Sequence, residues 1–77
     1  MNTKKLVEYN VKLYREKKGL TQEELSKLIG KNEKFISNFE NGKYTKGVNI
    51  LTLTLISEQL NIKIHDLFDE INNSDNA

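Results

Sequence analysis

The sequence contains no cysteine and only one histidine among its 77 residues. The absence of cysteine excludes a disulfide framework and a zinc finger. Its apolar runs are too short to span a bilayer, and residues 1–5 do not lead into the long apolar stretch of a signal peptide. We therefore expect a soluble, cytoplasmic, single-domain protein with a small core, no metal or other cofactor, and no membrane partner.

Groups that carry out catalysis are equally scarce. The single histidine, His65, lies beside Asp66 at the start of a short predicted helix, and we interpret it as a surface or capping residue. The Glu23/Glu24 pair is explained by helix capping and by the preference of a first helical turn for negative charge. Neither a nucleophile with an adjacent base nor a phosphate-cradling loop can be assembled. We expect neither an enzyme nor a small-molecule ligand.

The net charge is only +1, but the charge is unevenly distributed along the chain. Residues 1–47 contain eleven Lys or Arg against six Asp or Glu, whereas residues 48–77 contain one Lys against five acidic residues. A basic amino-terminal part favours a polyanionic partner, and an acidic carboxyl-terminal part favours neither nucleic acid nor an anionic membrane. Taken alone, the asymmetry has the alternative explanation of chance unevenness on a solvated surface.

The most specific pattern lies between residues 21 and 42, where two short helices are predicted to meet at a glycine. Apolar residues recur at the three- and four-residue spacing of helices with one buried face, at Leu25, Leu28, Ile29, Ile36 and Phe39. Thr21 and Glu24 have the spacing of a capping box, and Asn32 can cap the second helix. Gly30 supplies the positive φ often needed just past a helix end. This arrangement is a helix-turn-helix.

Three further helices complete an all-α prediction, with Ser26 at the crossing of the second and third. The segment 48–56 alternates like a strand, but no other part of the chain offers a partner strand, so we predict a helix with Ile50, Leu53, Ile56 and Leu60 in the core. The five helices are expected at residues 4–18, 21 or 22–29, 32 or 33–41, 49 or 50–60, and 64–69. The domain then covers residues 1–71, and residues 72–77 form a polar, disordered tail.

The string Leu20-Thr21-Gln22-Glu23-Glu24-Leu25-Ser26, with Gly30 and Ile36-Ser37-Asn38-Phe39-Glu40-Asn41-Gly42, resembles the Cro/CI-type (XRE-type) helix-turn-helix repressors of phages and bacteria. The resemblance covers about 55 of the 77 residues. It implies a five-helix, lambda-repressor-like domain and a transcriptional regulator that binds double-stranded operator DNA. The loop 43–49 departs from this family because it is longer than usual and lacks the common proline. Controller proteins of restriction-modification systems also have an aromatic residue before Ile-Ser, a match of only three residues.

If the chain binds DNA, base contacts are expected near the start of helix 3, because this end of the second helix faces base edges in the major groove. The candidates are Asn32, Glu33, Lys34, Phe35, Ser37 and Asn38. The alternative for the polar candidates is that they are simply solvated. The alternative for Phe35 is that its ring stacks against Phe39 and the loop. Phosphate contacts are expected from Gln22, Asn41, Lys43 and Lys46. The resemblance also implies that Arg15 pairs with Glu40 inside the domain.

A homodimer is expected, since one helix-turn-helix reads few base pairs and a two-fold dimer reads a palindromic operator with half-sites about 34 Å apart. Apolar residues available for the interface are Leu51, Leu55, Ile62, Ile64 and Phe68. We favour the last three, because the family commonly dimerises through its carboxyl-terminal helix, and the first two extend that patch. The alternative is that loop 43–49 covers Leu51 and Leu55. The alternative function is an antitoxin or adaptor whose main partner is another protein.

Overall fold

The computed structural model describes residues 2–70, and all of the regular secondary structure in that range is helical. Four α-helices, α1 (Thr3–Lys17), α2 (Gln22–Leu28), α3 (Phe35–Glu40) and α4 (Ile50–Leu60), are followed by a 3₁₀ helix at Ile64–Phe68. The predicted all-α fold is confirmed, and the helical interpretation of α4 was correct. No helix within residues 2–70 is long and apolar enough to cross a bilayer. The predicted domain limit at residue 71 and the tail lie outside the described residues.

The helix ends follow from local side-chain chemistry. At α2, the Thr21 hydroxyl accepts the Glu24 N–H at 3.0 Å and the Glu24 carboxylate accepts the Thr21 N–H at 2.8 Å, which is the predicted capping box. Asn49 caps α4 by accepting the Thr52 N–H at 2.9 Å. The predicted positive φ of Gly30 is also confirmed, at +74°. Asn61, which ends α4, likewise has a positive φ, at +57°.

The core is drawn from all five helical segments. Its buried members are Val7, Val11, Leu25, Ile29, Ile36, Phe39, Leu53, Ile56, Leu60 and Leu67. The predictions that Ile50 and Leu28 are buried were wrong, because Ile50 is 60% exposed and Leu28 is 50% exposed. Ile50 lies in the first turn of α4, before the part that is buried. Successive residues rotate by about 100° around a helix, so a buried face formed by residues 25, 26 and 29 leaves Leu28 at its margin.

The carboxyl-terminal segment is a short 3₁₀ helix rather than the α-helix predicted for residues 64–69. Its Leu67 side chain is fully buried in the core. Asn10, which is fully buried on α1, donates from Nδ2 to the Leu67 and Asp69 carbonyls, both at 2.8 Å. These bonds satisfy carbonyls that a single 3₁₀ turn leaves unpaired, and they fasten the end of the described chain to α1.

Candidate nucleic-acid interface

The turn between α2 and α3 is longer than predicted. Helix α3 begins at Phe35, so the predictions that it starts at residue 32 or 33 and that Asn32 caps it were wrong. The Asn32 carboxamide instead accepts the Lys34 N–H, and its carbonyl accepts the Phe35 N–H, both at 2.9 Å. An Asn side chain that bonds the backbone two residues later stabilises a turn instead of a helix. Asn32, Glu33 and Lys34 therefore belong to the segment that leads into α3.

Ser26 joins α2 to the first turn of α3. Its hydroxyl donates to the Gln22 carbonyl at 2.8 Å and accepts the Ile36 N–H at 2.9 Å. Among the described residues, the Lys34 side chain forms no capping bond at the start of α3, so Ser26 satisfies an amide that the helix leaves unpaired. The small size of Ser26 was anticipated at this crossing, but its hydrogen bond to α3 was not.

The polar base-contact candidates surround the start of α3. Ile36 and Phe39 face the core, Lys34 is exposed, and Ser37 and Asn38 are half-buried. A cleft of about 340 Å³ separates the start of α2 from the start of α3 and is lined by Thr21, Gln22, Glu23, Glu33, Lys34 and Ser37. Within residues 2–70, the Lys34, Ser37 and Asn38 side chains form no hydrogen bond. Their donors and acceptors therefore remain available to a ligand.

Phe35 is half-buried and stacks on an aromatic residue of the following loop. The ring centroids of Phe35 and Tyr44 are 5.1 Å apart, with an interplanar angle of 30°, and the Lys31 ammonium lies 5.5 Å from the Phe35 centroid. Stacking against the loop was one of the two expectations for Phe35. The role of Tyr44 was missed, although an aromatic residue between lysines in a polar loop was the signal available.

The phosphate-contact candidates divide into two groups. Asn41, Lys43 and Lys46 are exposed where α3 ends and the loop begins. Gln22, at the first position of α2, is half-buried, and its Nε2 donates to Glu40 Oε1 at 2.9 Å. Because a glutamine amide carries two N–H donors, this bond leaves one for another acceptor.

Arg15 and Glu40 meet in the interior. Arg15 Nε lies 2.7 Å from Glu40 Oε2 and Nη2 lies 3.0 Å from Oε1, a bidentate arrangement. Nη1 donates to the Leu20 carbonyl at 2.8 Å, and the two side chains are only 8% and 3% exposed. The hydrogen bonds to Glu40, partly opposed by burial, raise the pKa of Arg15 above its usual value. The guanidinium is thus directed into the domain and links α1 to α3.

Comparison with known proteins gives a family. The helix-turn-helix family matches residues 11–67. The chain belongs to the XRE-type helix-turn-helix family. This XRE-type protein is thereby a DNA-binding regulator of transcription.

Among solved structures, this XRE-type protein is similar to the hypothetical transcription factor NHTF from Neisseria, with a TM-score of 0.86 and 20% sequence identity. The match covers 97% of this chain and 84% of that one. At this identity the likeness shows a common fold. Among curated proteins, none matches the chain significantly.

The apolar residues predicted to form a dimer interface differ in solvent exposure in this XRE-type domain. Leu51 is 72% exposed, Leu55 40% and Phe68 42%, whereas Ile62 and Ile64 are half-buried and pack against the core. The loop leaves Leu51 and Leu55 open in the described part of the chain, because its own Tyr44 and Val48 pack against the core. The alternative that this loop covers them is therefore wrong.

A small polar cluster lies on the 3₁₀ helix of the XRE-type domain. His65, Asp66 and Asp69 each place a potential ligand atom within 4.8 Å of the others. The side chains of His65 and Asp69 are mostly exposed, and the Asp66 carboxylate accepts the Lys63 N–H at 3.0 Å. This grouping has an ordinary explanation in helix capping at the surface.

Proposed function

We propose that this protein recognises specific operator sequences by placing the start of α3 in the major groove of double-stranded DNA. The main support is that Lys34, Ser37 and Asn38 lie on or beside the outer face of a helix whose inner face is fixed by Ile36 and Phe39. Base-reading side chains need such a rigid support. The second helix of a helix-turn-helix docks in the groove by this end.

The side chains around α3 have chemistry that matches base edges. Lys34 donates to the O6 and N7 acceptors of guanine, Asn38 pairs bidentately with adenine, and Glu33 accepts from cytosine N4. Asn32 and Ser37 supply further donors and acceptors. The exposed part of the Phe35 ring offers an apolar contact to a thymine methyl group.

Phosphates on either side of the groove are assigned to two parts of the domain. Gln22 lies at the amino terminus of α2, where the helix dipole favours an anion. Asn41, Lys43 and Lys46 follow α3 on the other side and are exposed. Contacts of this kind set the position of a protein on DNA without reading sequence.

Replacing Lys34 or Asn38 with alanine is expected to weaken binding to the preferred site by about 1–3 kcal/mol, because each variant loses a base contact. Binding to a scrambled duplex should change much less. Lys43→Ala is the matched control, since losing a phosphate contact weakens binding to both duplexes about equally. The measurement is fluorescence anisotropy at two salt concentrations, with a duplex selected by the parent protein from a randomised pool and its scrambled counterpart.

Two results would contradict this assignment. If all three variants lost affinity equally on both duplexes, α3 would not be the sequence reader. If parent binding neither depended on the sequence nor fell steeply with salt, the contact with DNA would be secondary. The second result would favour the antitoxin or adaptor alternative, for which the exposed leucines of α4 offer an apolar contact to a protein partner.

We further propose that the protein binds a palindromic operator as a homodimer through the exposed face of α4 formed by Ile50, Leu51 and Leu55. Residues 50–57 of α4 contain no ionisable side chain, so a two-fold axis near Leu51 and Leu55 brings no like charges together from this part of the helix. The exposed Glu58 follows one turn after Leu55, at the end of this face. This face replaces the predicted patch at Ile62, Ile64 and Phe68, because two of those three residues already pack against the core.

The parent protein is expected to dimerise at tens of micromolar, and Leu51→Lys to remain monomeric, because a lysine there places two charges in an apolar interface. Sedimentation equilibrium without DNA is the measurement. Leu28→Lys, which alters a leucine on α2 that is 50% exposed, should dimerise like the parent. A monomeric parent, or unchanged dimerisation of Leu51→Lys, would refute this interface. If Phe68→Lys lost dimerisation while Leu51→Lys kept it, the interface would be assigned to the carboxyl-terminal patch.

A further inference from the structure

Helix α3 has only six residues and depends on tertiary contacts for its placement. Isolated helices of this length are not stable in water, because too few hydrogen bonds offset the cost of the first turn. Ser26 supplies one contact to its first turn, through the Ile36 N–H. The second comes from the ring of Phe35, which is the first residue of the helix.

The Phe35 ring is held by groups from both sides of α3 in the sequence. Tyr44, from the loop after α3, stacks on it at a centroid distance of 5.1 Å and also packs against the core. Lys31, from the turn before α3, places its ammonium 5.5 Å from the same centroid. The start of the helix is therefore tied to the loop that leaves its end.

Tyr44 lies between Lys43 and Lys46, the two loop lysines proposed to contact DNA phosphates. Before it, the Lys43 N–H donates to the Asn38 carbonyl at 3.0 Å, which ends α3 in a Schellman motif with Gly42 at φ +75°. After it, the Gly47 N–H donates to the Tyr44 carbonyl at 2.7 Å and closes a turn that contains Lys46. Backbone hydrogen bonds thus fix the loop on both sides of Tyr44, and the Tyr44 ring packs this part of the loop against Phe35.

We propose that Tyr44 is a positioning residue that couples base reading by α3 to phosphate binding by the lysine loop. This inference rests on the proposed function. Base contacts require donors and acceptors held to within about 0.5 Å, whereas attraction to phosphates tolerates a displaced loop. Loss of the Tyr44 ring therefore reduces sequence discrimination more than it reduces attachment to DNA.

The experiment compares the parent with Tyr44→Phe, Tyr44→Ala and Tyr44→Leu on a duplex selected from a randomised pool and on its scrambled counterpart. Tyr44→Ala is expected to lower the ratio of the two affinities about 2- to 12-fold, the range that corresponds to one aromatic pair. Tyr44→Leu keeps an apolar side chain against the core but removes the stack, so it should show the same loss. Tyr44→Phe keeps the ring and should match the parent. The salt dependence should be unchanged in all three variants, because no charge is removed.

Each alternative outcome identifies what is wrong. An unchanged ratio in Tyr44→Leu, in protein shown by circular dichroism to be folded, refutes the coupling. An equal loss of affinity on both duplexes would make Tyr44 a general DNA contact and refute the proposal. A loss of discrimination in Tyr44→Phe as large as in Tyr44→Ala would assign the effect to the Tyr44 hydroxyl and also refute it. A parent that prefers no selected duplex refutes the proposed function, and the inference with it.

Discussion

Arg15→Ala is expected to lower the free energy of unfolding by about 3–5 kcal/mol, because it leaves a buried carboxylate without its counter-ion. The Glu40 side chain is only 3% exposed, and its remaining side-chain partner among the described residues is the neutral amide of Gln22. The Leu20 carbonyl also loses its hydrogen bond from Arg15. Domains have a total stability of about 5–15 kcal/mol, so this loss removes much of it. Urea unfolding followed by circular dichroism measures the change.

Arg15→Met/Glu40→Leu is the matched control, since it removes both charges and keeps similar side-chain volume. Replacing a buried ion pair by apolar residues is often neutral or stabilising, so this variant should recover much of the lost stability. A contrary outcome would be an Arg15→Ala protein that unfolds like the parent but binds DNA poorly. Arg15 would then belong to the DNA-binding face.

Leu67→Ala is expected to cost about 2–5 kcal/mol, the range for a large-to-small change in a close-packed core. Leu67 is fully buried, and its carbonyl accepts a hydrogen bond from the fully buried Asn10. It is the buried residue of the 3₁₀ helix, so a cavity there weakens the attachment of the whole carboxyl-terminal segment to α1. Thermal and urea unfolding give the magnitude.

The neighbouring residue provides the comparison. Phe68 is 42% exposed, so Phe68→Ala should cost clearly less than Leu67→Ala although it removes a larger side chain. Similar losses in the two variants would show that burial does not determine stability at this end of the domain. A Leu67→Ala protein as stable as the parent would show that the 3₁₀ helix contributes little to the core.

Features that depend on neighbouring residues in the chain were predictable. The capping box at Thr21 and Glu24 and the positive φ of Gly30 each depend on residues within a few positions. The helical state of residues 50–60 followed from helical spacing together with the lack of a partner strand elsewhere in the sequence. The start of α3 was missed because Asn32 has two local uses, a cap or a turn. In the structure Asn32 forms a turn, and the Ile36 N–H in the first turn of α3 is bonded by Ser26, ten residues away in the sequence.

The candidate site was less predictable because its geometry depends on side chains distant in sequence. The Arg15 and Glu40 pairing followed from a family resemblance, and the structure adds the third partner, Gln22. The stacking of Tyr44 on Phe35 requires knowledge of the loop path. The exposure of Ile50 and Leu28 similarly depends on which part of a helical face meets a neighbour, which helical periodicity alone does not specify.

Different residues hold α3 in place and face away from the core, so the two sets can change separately during evolution. The contacts that shape the helix come from Ser26, Tyr44 and the buried pair Ile36 and Phe39. Lys34, Ser37 and Asn38 form no side-chain hydrogen bond within the described structure, and Lys34 is also exposed. Substitutions at an exposed position of this kind usually alter stability by about 0.5 kcal/mol or less. If Lys34 reads a base as proposed, its substitution changes the preferred DNA sequence at little cost in stability, and this position is where a designer would retarget the protein.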